Sequence, residues 1–363
     1  MRALSFALAL AVAVSALGCS GGASTTTSTS SGAATSGAST STGTSTSSGT
    51  GGGGGGAPGK PADLVSFHVG NEADLAVTPK GPGLILMGGG PDVDAAFTWW
   101  KPLVAGGDVV VLRASGDGAY DDYLYTQIGG FNAVETLLVT STALAESAYV
   151  AWKITHAEGI FIAGGDQAKY LQLWKGTGLQ KALTAAWERG AAIGGTSAGC
   201  DVLGEFIFRA ENGSVLSSEA LADPYNGYMT MDRGFLALSP VAGTVLDTHF
   251  AQRDRMGRLV GFVARILADG WATKVQGMGI DEGTAVVVGP TGQAKVLGAG
   301  SVYLLRPAAP AATCQAGKPL DYAGVPYFKL GAGDTWTLPS GTPTAPPGTL
   351  SASAGTLTPA NPY

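Results

Sequence analysis

Charge is scarce in this sequence: 21 Lys and Arg and 27 Asp and Glu among 363 residues, for a net charge of −6. No basic stripe of the kind a nucleic-acid partner requires can be assembled from it. Histidine occurs only as His68, His156 and His249, and cysteine only as Cys19, Cys200 and Cys314. None of them stands at metal-ligand spacing, so the expectation is no metal and no organic cofactor. The cysteines form no disulfide framework, and Cys200 reads as a small buried packing residue. Long apolar runs are missing except at the N-terminus. What is abundant is glycine, 57 residues, and apolar residues, 45%. That suits a compact α/β core of one large domain or two small ones.

The N-terminal run, MRALSFALALAVAVSALGCSGG, has one basic residue, Arg2, and an apolar stretch that stops at Cys19. It is short for a membrane span and reads as an export signal. "SALGC" resembles a bacterial lipoprotein processing site, so residues 1–19 are expected to be a signal that leaves Cys19 lipidated, with ordinary signal cleavage as the alternative. Residues 20–60 are mostly Ser, Thr and Gly, too polar to offset the entropy of ordering, and read as a tether. The stretch 339–363, rich in Pro, Ser and Thr, reads as a disordered tail. The folded domain is therefore expected over 61–338.

Within it, five short apolar runs alternate with helical stretches: GLILMGGG, DVVVLRAS, VETLLVTS, GIFIAGGDQ and GAAIGGTSAG. Continuous apolar runs of this length fit parallel strands covered on both faces. The alternation predicts a doubly wound, mostly parallel sheet in a three-layer α/β/α arrangement. Right-handed crossovers then gather the strand ends on one edge, where ligands bind in such folds. Three glycine-rich exits would land there: Gly88–Gly90, Gly164–Gln167 and Gly195–Gly199. Each alone is explained by a tight turn; three on one edge are more than turns need. After Met256 a helix and antiparallel strands are expected to extend one end of the sheet, with no second domain.

Gly195-Thr196-Ser197-Ala198-Gly199 has the G-x-S-x-G form of a nucleophile turn, in which small neighbours allow a sharp strand-to-helix bend that exposes the serine hydroxyl. A serine nucleophile needs a base. Of the three histidines, His249 in VLDTHFAQRDRMGRL stands at a strand end beside Asp247. His156 lies on a helical segment and His68 before the first core strand.

FIAGGDQ, GGTSAG, DTHFAQRDRMGRL and GIDEGTAVVV, in that order, resemble the cyanophycinase family, serine peptidases on the class I glutamine amidotransferase-like fold related to peptidase E. The resemblance implies Ser197 as nucleophile and His249 as base. It implies an acidic residue between them, for which EFIFRAENGSVLSSEALADPY offers Glu205, Glu211 and Glu219; SSEA is nearest the family pattern, which favours Glu219 and leaves Glu211 open. It implies an oxyanion site at the N–H groups of Ala198 and Gly165, and substrate contacts from Gln167, Asp247, Thr248, Arg253, Arg255 and Arg258. Thr248 stands where the family has a substrate-contacting glutamine.

The implied substrate is cyanophycin, a poly-aspartate chain with arginine on each side-chain carboxyl, cleaved to β-Asp-Arg dipeptides. Guanidinium groups suit its planar carboxylates. A peptidase E-like exopeptidase on aspartyl or isoaspartyl peptides and an inactive surface binding protein are the alternatives. The implied location is outside the cell or on its envelope, with membrane contact through the lipid alone. No sequence feature sets the oligomeric state, and a homodimer stays open.

Overall fold

The computed structural model describes residues 57–363. The signal-like stretch 1–19 with Cys19, and the tether up to residue 56, lie outside the described residues. All five apolar runs form strands, and they lie side by side in parallel. In spatial order they are Ala133–Leu138, Asp108–Arg113, Gly159–Ile162, Ala192–Thr196 and Gly83–Met87. An antiparallel strand, Val65–Gly70, closes one edge, and Thr284–Val288, Gln293–Gly298 and Thr335–Thr337 continue antiparallel from the other.

Side chains alternate across this sheet with the period of 2 that strands impose. Ile85 and Met87 meet Phe97 and Trp100 of the helix Asp94–Val104 on one face. Leu84 and Leu86 join the core of Trp174 and Leu183, from the helices Gln167–Trp174 and Gly178–Arg189, on the other. Helices thus cover both faces, giving the three layers the alternation predicts. Phe97, Trp100, Trp174 and Leu183 are fully buried, each stabilising the stack by roughly 1.5–3 kcal/mol or more.

The strands after Met256 do not all extend this sheet, contrary to the expectation from sequence. A second sheet runs in the order Thr356–Thr358, Pro347–Ser353, Tyr322–Leu330, Val302–Leu305, Gln276–Ile280, Thr244–Asp247, Phe206–Phe208 and Met231–Arg233. One of its faces shares the core of the first sheet through Leu246, Met278 and Leu304. The other packs Val245, Tyr303 and Leu305 against Leu259 and Val263 of the helix Met256–Ala268. The expected disordered tail is likewise corrected. Pro347–Ser353 pairs antiparallel with Tyr322–Leu330, and Thr356–Thr358 pairs back on it. Leu350 and Ala352 are buried, so this stretch has the alternating apolar face that pins a strand in register.

Candidate functional site

The three glycine-rich exits leave three adjacent strands, Gly159–Ile162, Ala192–Thr196 and Gly83–Met87, at the same end. Ser197 follows the middle one. Its backbone lies at φ 52°, ψ −127°, and the helix Ala198–Asp201 starts at once behind it. This is the sharp turn the motif predicts, held by the Ser197 N–H donating to the Met87 carbonyl at 3.1 Å. The Ala198 N–H, first of that helix, has no partner within it. The neighbouring exit passes beside the serine: a Cβ on Gly164 would stand 3.9 Å from Ser197 Oγ. The Ala198 N–H therefore lies directly behind the nucleophile, and the Gly164–Gly165 exit runs alongside it.

His249 arrives from the second sheet, two residues past the strand Thr244–Asp247. Its Nε2 is 2.8 Å from Ser197 Oγ. Its Nδ1 is 2.6 Å from Glu282 Oε1. Glu282 sits in the turn between Gln276–Ile280 of the second sheet and Thr284–Val288 of the first. Serine, imidazole and carboxylate are thus in line. Burial pushes the His249 pKa down. The Glu282 hydrogen bond pulls it up, and the cations Arg253 and Arg255 add to the fall.

Glu282 corrects the expectation of Glu219. Glu219 accepts a hydrogen bond from the Leu216 N–H at 2.8 Å and caps its own helix. Glu211 is exposed and pairs with Arg209 at 3.1 Å. Glu205 accepts from the Gly243 N–H at 2.6 Å. All three are engaged away from the imidazole. The readable signal for Glu282 is an acidic pair, Asp281-Glu282, at a turn between two apolar strands. Asp281 is buried and accepts from the Ala251 and Ser301 N–H groups, which leaves Glu282 for the histidine.

The glycines after Gly83–Met87 prove to be the seat of base and acid. His249 N–H donates to the Gly88 carbonyl at 2.7 Å, and Gly283 N–H to the Gly89 carbonyl at 2.9 Å. A Cβ on Gly89 would run into the His249 ring, and one on Gly90 would meet Glu282 Cβ at 2.9 Å. Both glycines also hold positive φ, 85° and 70°, which few other residues adopt.

The expected substrate contacts divide. Gln167 begins its helix at the active edge, half-buried, its Nε2 3.4 Å from the Phe208 carbonyl. Arg253 is exposed. Asp247, Thr248, Arg255 and Arg258, by contrast, are buried and bonded to one another. Asp247 accepts from Arg258 Nε at 2.9 Å and Arg255 at 3.3 Å. Arg258 also donates to Ser214 Oγ at 2.9 Å, and Arg255 to the Thr248 carbonyl at 2.6 Å. The expectation that these four touch substrate is corrected: buried charges need paired partners, and here those partners are internal. Thr248 Oγ1 donates to buried Asp201 at 3.2 Å. Burial and then the like charge of Asp247 push the Asp201 carboxyl up. Cys200 lies in the core, with burial pushing its thiol up.

His156 ends the helix Ala148–His156 stacked on Trp152, with ring centroids 4.3 Å apart, and His68 lies on the antiparallel edge strand. Neither approaches Ser197.

The chain is similar to several known proteins. A cyanophycinase of Synechococcus elongatus is 31% identical over 179 residues, 49% of this chain and 51% of that protein. A cyanophycinase of Trichormus variabilis is 29% identical over 179 residues, 49% of this chain and 55% of that protein. The chain thus spans about half the length of the curated relatives it matches. Among solved structures, a peptidase from an acI-B1 Actinobacterium is similar with TM-score 0.48 and 17% identity, over 72% of this chain and 98% of that one. The sequence model of peptidase family S51 matches residues 113–294, half of the chain. That span begins in the second parallel strand, runs through Ser197, His249 and Glu282, and ends as the sheet turns antiparallel; on it, the chain belongs to peptidase family S51.

Proposed function

We propose that this protein is a serine-type peptidase in which Ser197, His249 and Glu282 form the catalytic relay. The observation that supports it is the line of two hydrogen bonds, 2.8 Å from Ser197 Oγ to His249 Nε2 and 2.6 Å from His249 Nδ1 to Glu282. As Ser197 Oγ attacks a peptide carbonyl, its proton passes to Nε2. Glu282 accepts the Nδ1–H hydrogen bond, fixes the tautomer and stabilises the imidazolium. The Ala198 and Gly165 N–H groups receive the oxyanion. Collapse expels the amine, which takes the Nε2 proton, and water then releases the acyl group by the reverse relay. The depressed His249 pKa keeps the ring neutral, and so able to act as base, below the usual histidine range.

The substrate this reading favours is cyanophycin, cut in its aspartate backbone to β-Asp-Arg dipeptides, on the strength of the named relatives. A specific observation supports a second reading, a peptidase E-like enzyme on aspartyl peptides. Two of the three arginines are held internally by Asp247, which leaves Arg253 as the exposed cation of the trio. Mass analysis of digests separates the two. Dipeptide release from cyanophycin supports the first. Cleavage of short aspartyl peptides with the polymer untouched supports the second. Recovery of every substrate intact overturns both.

Export and anchoring through Cys19 belong to the same proposal and rest on the sequence motif. Fatty-acid labelling that marks wild type and is lost in Cys19→Ala is the expected result; an unlabelled wild-type protein overturns it.

A further inference from the structure

The last residue of the sequence reaches back to the segment that carries the base. Past the strand Thr356–Thr358, the chain crosses the second sheet, where the Tyr327 hydroxyl donates to the Pro362 carbonyl at 3.4 Å. Tyr363 then makes four contacts on the stretch 250–256 and its neighbour. Its oxygen accepts from the Met256 N–H at 2.8 Å. That N–H opens the helix Met256–Ala268 and has no partner within it. Its hydroxyl donates to Asp254 Oδ1 at 2.9 Å. Its ring stands edge-on to Phe250, with centroids 6.0 Å apart, and to Tyr303 at 5.6 Å.

These contacts bear on the imidazole because the segment is short and strained. His249 and Asp254 both sit at φ 48°, a conformation that costs a non-glycine residue of order 1–3 kcal/mol and persists only where its surroundings impose it. Between them lies a single 3₁₀ turn, Ala251–Arg253. Phe250, the residue after the base, is wholly buried against Tyr303. Tyr363 therefore braces the segment at both ends: by its ring on Phe250, the residue that follows His249, and by its hydroxyl at the left-handed Asp254 where the helix begins.

We infer that Tyr363 is a positioning residue, and that the stretch from Pro347 to Tyr363 is an intramolecular strap holding His249 on Ser197 and setting where exposed Arg253 stands. This rests on the reading of His249 as base. It extends that reading to residues beyond the span matched by the family.

The test compares Tyr363→Phe, which keeps the ring and removes both hydroxyl bonds, with Tyr322→Phe. The latter removes a hydroxyl bond to the Ala309 carbonyl elsewhere in the same sheet. Two signals are read. The first is the rate at which an aryl sulfonyl fluoride modifies Ser197. The second is the NMR titration of His249, resolvable because the chain has three histidines. Tyr363→Phe is expected to slow modification about 10-fold, equivalent to about 1.4 kcal/mol. It should also raise the His249 pKa toward its ordinary value as the loosened loop admits water. Asp254→Ala, which removes one of those two bonds from the other side, should move both signals the same way by less, with no loss in the double variant beyond that of Tyr363→Phe.

Tyr322→Phe should change neither signal. Equal modification rates and an unmoved His249 titration in Tyr363→Phe would overturn the strap. If the wild-type chain resists the reagent, the serine reading falls and the titration alone decides: a shift confined to Tyr363→Phe upholds the strap, and no shift removes it.

Discussion

The two sheets contribute to the site in opposite ways. The first presents its nucleophile from the end of a buried parallel strand, Ala192–Thr196, with apolar cores on both faces. The second delivers the base from a strand end that rests on a buried cluster, Asp247 with Arg255 and Arg258. The acid stands in the turn where the chain passes from one sheet to the other. Ser197 is thus set by local turn geometry. His249 and Glu282 are set by how the two sheets dock, through the Gly88 and Gly89 carbonyls. A rigid apolar element can expose a hydroxyl by itself, but aligning an imidazole between two partners requires both sheets.

The comparison can be broken most sharply at the nucleophile. Ser197→Ala and His249→Ala should each lower peptidase turnover by ~10⁴-fold or more while the thermal unfolding midpoint stays near wild type. His68→Ala and His156→Ala, remote from the relay, should stay within a few-fold of wild type in the same assay.

The ionic floor of the second sheet comes next. Asp247→Asn leaves two buried guanidinium groups without their carboxylate and should cost about 3–5 kcal/mol in urea unfolding. A loss under 1 kcal/mol would mean that the cluster does not hold the second sheet.

Between the sheets, Gly89→Ala puts a methyl group where the His249 ring stands. Turnover should drop on the order of 10²-fold, since displacing a reacting group by about 1 Å costs that much. Unchanged turnover would refute the glycine seat.

The smallest effect is electrostatic. The Arg253 charge helps to lower the His249 pKa. Arg253→Gln should therefore raise it, and the acid limb of kcat/KM should move to higher pH. A shift the other way would place Arg253 outside the field of the base.

The same contrast explains how much was legible in the sequence. The first sheet announces itself: each parallel strand is a continuous apolar run, and its glycine-rich exits mark the edge where chemistry gathers. The serine turn needs only its neighbours, so its motif is local and readable. The second sheet is built from pieces such as Phe206–Phe208 and Met231–Arg233, each three residues long, too short to carry a period. Its C-terminal strands are hidden in a Pro, Ser and Thr-rich stretch, where only the alternation that buries Leu350 and Ala352 betrays them. Glu282 is hidden in the sequence for a related reason. The position of an acid that completes a relay is fixed by tertiary docking, and no spacing from Ser197 or His249 specifies it. The arginines are not legible either, because a basic run beside a base looks the same whether its cations face a ligand or a buried aspartate.

The central claim, that Glu282 and not Glu219 completes the relay, is tested most directly by the rate of Ser197 modification by an aryl sulfonyl fluoride, followed by intact mass. Glu282→Gln should slow modification by ~10²-fold or more, because the amide neither fixes the imidazole tautomer nor stabilises its cation. Glu219→Gln should remain within twofold of wild type, its loss confined to about 1 kcal/mol of helix capping. A wild-type rate in Glu282→Gln, or a collapse in Glu219→Gln with the fold intact, would contradict the account.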